Sequence, residues 1–302
     1  MTSPEVSIII VNFNTYELTR ACVESIFAHT SGVGFEIILV DNASTDGSRE
    51  VFEKDDRITY IYNETNLGFG RANNVGLCLA AGRNILFLNS DTLLRNDAVS
   101  ILCKYLDSHP GTGVVGGNLF DADDRPVHSF HRYRPSVYGE LNEALLGLPN
   151  RLLFGKNAEF NHSGEPLKVK HITGADLMIR KSVLEEIGGG FDPDFFMYHE
   201  DTELCWRVAK AGYLLESVPE AEITHLIGSS SKSAPSRNKV RMFLNSRKLY
   251  FRKCTSVAHR LLIYPVIFLV IVFKRLFFSL DKPHREFWSE MWQELFRPIR
   301  IE

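Results

Sequence analysis

The chain has little excess charge of either sign: 34 Lys and Arg stand against 37 Asp and Glu in 302 residues, a formal net charge of −3. Bulk electrostatics therefore gives no case for a nucleic-acid partner. Cysteine is sparse. The five (Cys22, Cys78, Cys103, Cys205 and Cys254) are dispersed with no CxxC spacing, which reads as reduced thiols in a reducing compartment. No glycine-rich cradle follows the first apolar run, where Asn12-Phe13-Asn14-Thr15 stands instead. A dinucleotide oxidoreductase needs GxGxxG there so that backbone can approach a pyrophosphate, and Gly68-Phe69-Gly70 comes too late to serve. No GxxxxGK[ST] occurs, which excludes a P-loop nucleotide hydrolase. The first residues carry no basic n-region, so no secretory signal is expected and the chain reads as cytoplasmic. No internal repeat or low-complexity tract appears.

What is present is ordinary globular composition, 44% hydrophobic and 24% charged. Short apolar runs rich in β-branched residues, Val6–Val11, Glu36–Val40, Ile58–Tyr62 and Asn84–Leu88, alternate with helical spacing at Leu18–Ala28, Ala72–Ala81 and Ala98–Leu106. Such runs suit strands buried on both faces. The βαβα order predicts a parallel, doubly wound sheet with right-handed crossovers. The region from Asp121 to Lys170 reads as loops and short helices, with a basic-aromatic stretch "HSFHRYRPSVY" and an apolar patch near Leu145–Phe154. Further on, Ile172–Arg180 reads as a strand and Asp201–Ala211 as a helix stopped at Gly212.

The tail differs. Leu261–Phe273 is unbroken apolar sequence, too short to span a bilayer alone and flanked by Arg247, Lys248, Arg252, Lys253, Arg260, Lys274 and Arg275. Cationic flanks suit a helix lying in a membrane interface; a buried hairpin or a homo-oligomer interface is the other reading.

In open α/β sheets ligands bind beyond the carboxyl ends of the strands. Asn12 and Asn14, Asp41-Asn42, and Asn89-Ser90-Asp91 all fall at such ends. Asp41 can accept hydrogen bonds from a ribose or a base N–H. With no glycine cradle, a pyrophosphate needs another counter-charge, and a divalent cation held by Asn89-Ser90-Asp91 would supply it. The same triplet also reads as a turn cap. His225, just past a strand, is a further ligand candidate or a structural histidine. The stretch "FDPDFFMYHEDTELCWR", Phe191–Arg207, sets Glu200, Asp201 and Glu203 beside an apolar run.

"VSIIIVNFN", "VDNASTDGS", "NLGFGRANNVG", "LFLNSDT", a GADLMIRKSVLEEIG stretch, "FFMYHEDTELCWR" and "ITHLIGSSSK" occur in that order. Together they resemble family 2 glycosyltransferases of the GT-A fold, and within them the bacterial rhamnosyltransferase-like group, from about Val6 to Lys232. The resemblance implies a Rossmann-like, mostly parallel sheet flanked by helices, as in nucleotide-diphospho-sugar transferases. It implies a domain over 1–232, with a nucleotide-binding half (about 1–120) and an acceptor and catalytic half (121–232). A basic and apolar helical extension would fill 233–302.

Residue by residue, Val11, Asn12, Asn14, Asp41, Arg71 and Asn74 match donor contacts. Asn89-Ser90-Asp91 matches the DxD motif; Asn89 replaces its first acid, which leaves Asp91 to meet Mn2+ or Mg2+ with His225. Asp201, beside Glu200, matches the general base, and Gly174, Ala175, Asp176 and Trp206 fall on the acceptor side. The activity implied is inverting, metal-dependent transfer of a sugar, rhamnose from dTDP-rhamnose first. The acceptor would be a glycan or a polyprenyl-diphosphate-linked saccharide for cell-surface polysaccharide, at the inner face of the cell membrane. A UDP-sugar transferase and an inactive nucleotide-sugar-binding protein are the alternatives.

Overall fold

Runs such as Ile8-Ile9-Ile10 have apolar side chains pointing to both sides of a strand, so they require cover on both faces. The computed structural model, which describes residues 3–226, 237–277 and 282–300, supplies that cover. In the first part strands and helices alternate: β1 (Val6–Asn12), α1 (Tyr16–His29), β2 (Phe35–Asp41), α2 (Ser48–Phe52), β3 (Thr59–Tyr62), α3 (Phe69–Leu77) and β4 (Asn84–Asn89). Then come β5 (Thr92–Leu94), α4 (Ala98–Ser108), β6 (Thr112–Phe120), β7 (Phe130–His131), α5 (Val137–Ala144) and α6 (Leu148–Phe154). The rest is β8 (Leu167–Val169), β9 (His171–Ile172), β10 (Asp176–Arg180), α7 (Lys181–Glu186), α8 (Glu200–Lys210), β11 (Leu214–His225), α9 (Arg237–Cys254), α10 (Val257–Phe277) and α11 (Lys282–Leu295).

Among the described residues nine strands form one sheet in the order β3-β2-β1-β4-β10-β6-β11-β5, with β8 beside β11. β1, β2, β3 and β4 are parallel neighbours, and β6 and β11 point the same way. β10 runs against both its neighbours. The sheet is therefore mostly parallel, as expected, with β10 reversed where its two halves meet and β5 and β8 reversed beside β11.

Ile8 and Ile10 face α1 and α4, packing with Cys22, Ile26, Leu102 and Leu106. Ile9 faces the other way, with Ala72, Phe87, Leu204 and Val208. A third apolar cluster joins Phe195 to Leu244, Tyr250, Phe251, Ile263 and Ile267 of α9 and α10. The C-terminal helices thus share a core with the stretch that precedes α8.

The sequence reading missed β6, whose Gly113, Gly116 and Gly117 look like a loop. Close packing demands them: a Cβ on Gly116 would lie 2.4 Å from Ile172, and one on Gly117 2.4 Å from the Ala221 carbonyl oxygen. The strand expected over Ile172–Arg180 breaks into β9 and β10, because Thr173-Gly174-Ala175 turns between them. α3 begins at Phe69 rather than Ala72, after Gly68 at φ +83°.

The helix of the tail outruns its apolar core. α10 has 21 residues, which at ~1.5 Å per residue reach about 31 Å. Over Val257–Lys274 its mean hydropathy is 1.9, enough by length and composition to cross a membrane. The expectation of a run too short to span is corrected in that respect. Ile263, Ile267 and Ile271 are buried four residues apart, while Leu262, Leu269, Phe273 and Leu276 are exposed. One stripe of α10 is bound to the protein and the other faces outward. The boundary expected at 232/233 and the "GSSSK" end of the matching stretch lie outside the described residues.

Candidate active site

The strand register sets the first part of the site. Asn12 pairs across from Asp41, and Val11 from Asn89, so three polar strand ends share one edge. Asp41 and Asn12 are fully buried. The Asn12 amide nitrogen donates to Asp41 Oδ2 (3.2 Å) and Ser44 Oγ (3.1 Å), and its oxygen accepts from the Thr15 and Thr19 hydroxyls. Asp41 also accepts from Tyr60 Oη at 3.0 Å and the Ser44 N–H at 2.8 Å. These two side chains fix the loops after β1 and β2. Asn14 sits at φ +54° and its Oδ1 accepts the Thr45 N–H at 2.8 Å.

Beyond these ends lies a cleft of about 350 Å³, lined on one side by Val11, Asn89, Ser90 and Asp91. Phe13, 44% exposed, also borders it. The sequence reading passed over Phe13, although it stands between the two asparagines it chose. Phe196, Met197 and, from α9, Met242 close the far side.

Asp91 Oδ1 lies 3.2 Å from His225 Nε2, and the Asn89 amide nitrogen is 3.4 Å from the same atom. Two ligands about 2.1–2.2 Å from one octahedral Mn2+ or Mg2+ sit about 3 Å apart at a right angle. The Asp91–His225 gap fits that spacing, and a carboxylate with an imidazole suits such a cation. No group of three or more His, Cys, Asp or Glu side chains with metal-site geometry occurs among the described residues. Asp91 and His225, with the Asn89 amide beside them, are the residues here that could hold such a cation.

A short turn ties this end of the sheet to the acids of α8. The Ala175 carbonyl accepts the Asn89 N–H at 3.0 Å, and the Gly174 N–H donates to Asp201 Oδ2 at 3.0 Å. Asp201 Oδ1 accepts from the Thr202 N–H (2.6 Å) and hydroxyl (3.1 Å). His171 Nε2 stands 3.2 Å from Asp201 Oδ2. Glu200 is buried with Oε2 unpartnered.

The two acids diverge in proton affinity. Burial and the Asp201 charge push the Glu200 carboxyl up to about 8. Burial also pushes Asp201 upward, but His171 and the Gly174 N–H outweigh it and hold that carboxyl well below its ordinary value. The shifts are opposite: Glu200 holds its proton more tightly than an ordinary carboxyl and Asp201 less tightly. The backbone entering α8 is strained: Tyr198 and His199 both adopt left-handed φ, +70° and +62°. Burial drives His199 down to about 3, so it stays neutral there.

Other expected residues lie apart from the cleft. Both ends of the Asn74 amide are taken by the Phe191 backbone, at 2.7 and 2.8 Å. Arg71 Nε donates to the Pro193 carbonyl at 2.6 Å. These two brace α3 against the stretch before α8. Asp176 is completely buried, with Oδ2 accepting the Gly117 N–H at 2.6 Å, and burial pushes its carboxyl up to about 7. It holds β6 to β10 rather than reaching the cleft. Trp206 packs with the third cluster under Lys210 Nζ, 4.8 Å from the ring. Both are corrected from acceptor contacts, whereas Gly174 and Ala175 do lie between the two halves of the site. His171 has no sequence signal; only the fold brings it to Asp201.

The family model described as glycosyl transferase family 2 matches residues 7–188. A low-salt glycan biosynthesis hexosyltransferase of Haloferax volcanii is 30% identical over 210 residues, 68% of this chain and 62% of its own length. An N-acetylglucosaminyl-diphospho-decaprenol L-rhamnosyltransferase of Mycobacterium tuberculosis is 28% identical over 203 residues, 63% of this chain and 66% of its own. An uncharacterized protein of Sinorhizobium fredii is 28% identical over 74% of this chain and 24% of its own length. The chain thus spans between about a quarter and two thirds of these curated relatives.

Among solved structures, a mannosyltransferase of Pyrobaculum calidifontis in complex with GDP-Man and Mn2+ aligns with a TM-score of 0.58, covering 98% of this chain and 86% of that one at 17% identity. Residues 1–349 of Staphylococcus aureus TarS align with a TM-score of 0.54, covering 99% of this chain and 97% of that fragment at 14% identity. At these identities the likeness speaks for the fold alone.

Proposed function

The chain belongs to glycosyl transferase family 2, and on that premise we propose that it moves a sugar from a nucleotide diphosphate to an acceptor hydroxyl with inversion. The observation that carries this reading is the split acid pair. Asp201, held low, hangs through the Gly174 N–H on the same turn that binds the Asn89–Asp91 strand end, with Glu200, pushed up by burial, beside it. The donor would lie in the cleft along Val11, Phe13 and Ser90, and the acceptor hydroxyl would approach Asp201.

Asp201 accepts the hydroxyl proton as the oxygen attacks the anomeric carbon, the glycosidic bond to the diphosphate breaks, and the nucleoside diphosphate departs. Three donors already bond the Asp201 oxygens and the His171 ring nitrogen stands beside them, so the hydroxyl takes the place of one of these four. The His171 approach, at 3.2 Å, is the longest of them. Asp91 and His225 would hold a divalent cation, which when bound offsets the charge growing on the departing diphosphate.

dTDP-rhamnose is the proposed donor, supported by relatives named as rhamnosyltransferases in M. tuberculosis and Shigella flexneri. The proposed acceptor is a glycan or a polyprenyl-diphosphate-linked saccharide. A UDP-sugar donor is the alternative within the same chemistry. We propose a catalytic unit over 1–232 and an extension over 233–302 that rests on the cytoplasmic face of the membrane; a homo-oligomer through the same helices is the competing role for that extension.

Incubation with dTDP-rhamnose or UDP-sugars, Mn2+ and a lipid-diphosphate saccharide should release nucleoside diphosphate and glycosylated product. Asn89, in place of an acid, favours the rival reading of a binding protein without transfer. Nucleotide binding with no diphosphate released from any donor would establish that rival.

A further inference from the structure

Thirteen of the seventeen exposed large apolar residues lie on α5–α6, on α10 or at Phe296 just past α11, among the described residues. Scattered exposure would need no comment; such clustering does. On the first element Leu145, Leu146, Leu148, Leu152 and Leu153 are 55–77% exposed. α5 packs directly on α10, whose outward face carries Leu261, Leu262 and Leu269 at 62–72%. Charge decides between occupants. Residues 144–158 contain Arg151 and Lys156 and no acid. The outward stripe of α10 is apolar, on a helix long and hydrophobic enough to enter a bilayer, while Arg260 and Lys274 are turned to the protein. Two copies would bring the Arg151–Lys156 pairs together, whereas anionic headgroups complement them.

Behind the leucines lies a cavity of about 910 Å³. Arg151 and Lys156 line it together with Glu143, Glu159, His128 and His131. The His131 ring stacks on His171 (centroids 5.2 Å apart, 22° between planes), and His171 is the 3.2 Å neighbour of Asp201. The cavity therefore runs from the apolar ridge to within two imidazole rings of that carboxylate. None of the site residues expected from sequence lines it, although the basic-aromatic stretch and the apolar patch supply part of its wall.

We propose that the α5–α6 leucine ridge, continuous with the outer face of α10, docks on an anionic bilayer, and that the cavity behind it admits the polar head of a lipid-anchored acceptor. The leucines enter the acyl boundary, Arg151 and Lys156 meet headgroup phosphates, and the saccharide reaches Asp201 while its lipid stays in the membrane. The second half of this proposal rests on the glycosyltransferase reading; the docking half does not.

The test floats the full chain with vesicles of phosphatidylcholine alone or mixed with phosphatidylglycerol. The wild type should float with the anionic vesicles. The Leu145→Ser, Leu148→Ser, Leu152→Ser, Leu153→Ser variant should partition on the order of a hundredfold less, with the same unfolding midpoint and the same nucleotide binding. Arg151→Ala with Lys156→Ala should weaken flotation on anionic vesicles only. Retained flotation of the leucine variant, or a wild type that ignores vesicles, overturns the proposal. A wild-type dimer that the leucine variant turns into a monomer also overturns it, by making a second copy the occupant. A failure of the transferase reading shows separately, as donor incubations that release no nucleoside diphosphate while flotation is unchanged. Transfer to a soluble acceptor that survives in the leucine variant, with transfer to the vesicle-borne acceptor lost, is the expected activity pattern.

Discussion

Replacing Glu200 by Gln separates the two acids at the start of α8. The Glu200 carboxyl is pushed from an ordinary 4.5 to about 8, by burial first and the Asp201 charge second. A carboxyl that binds its proton more tightly folded than unfolded lowers stability as pH rises between those two values. The loss begins near pH 4.5, grows through the neutral range and is complete above about 8. At ~1.4 kcal/mol per tenfold the ceiling is about 5 kcal/mol. Gln cannot ionise and does not incur that loss. Urea unfolding at about pH 5, 7 and 9 should show Glu200→Gln gaining on the wild type at each step. In the same samples kcat/KM at neutral pH should stay within about threefold of wild type, because Gln resembles the protonated acid already present. Asp201→Asn should lose about 10²–10⁴ in rate. A stability gap that does not change with pH would refute the proton assignment. Equal loss of activity in both variants would make Glu200 a participant and refute the proposed roles.

Asp91→Ala or His225→Ala should weaken nucleotide binding with Mn2+ present and leave metal-free binding unchanged, as read by calorimetric titration. Gly68→Ala should lower stability by about 2 kcal/mol or more in thermal unfolding, since its Cβ would fall 2.3 Å from the Phe196 carbonyl oxygen at φ +83°. Arg247→Ala should cost about 3–5 kcal/mol, because buried Glu140 would lose the guanidinium that pairs with it; Arg247→Ala with Glu140→Gln should recover part of that loss.

The strands of the first half were legible because unbroken β-branched runs state their own burial. The polar strand ends were legible because parallel strands bring their carboxyl ends to one edge. Asp91 and His225, 134 residues apart in sequence, were paired by resemblance and meet in space. What the chain hid has physical reasons. β6 is written in glycines because its neighbours leave no room for side chains, and glycine reads as a loop. Asp176, Asn74 and Arg71 are polar residues near the right motifs, but sequence cannot tell a side chain facing a cleft from one bracing backbone. His171 comes to Asp201 through the break between β9 and β10, which no periodicity announces.

That break has a further consequence. Adjacent residues of one turn hold the Asn89 N–H and the Asp201 carboxylate. On the proposed reading the turn is a gauge, setting how far the departing diphosphate stands from the incoming hydroxyl. One inserted residue would add about 3.5 Å, as much as the whole near-attack distance between reacting atoms. Loops lining either side can vary in length and composition to suit another donor or acceptor. This turn can change neither its length nor its two hydrogen-bonding backbone groups without misaligning both halves of the site at once.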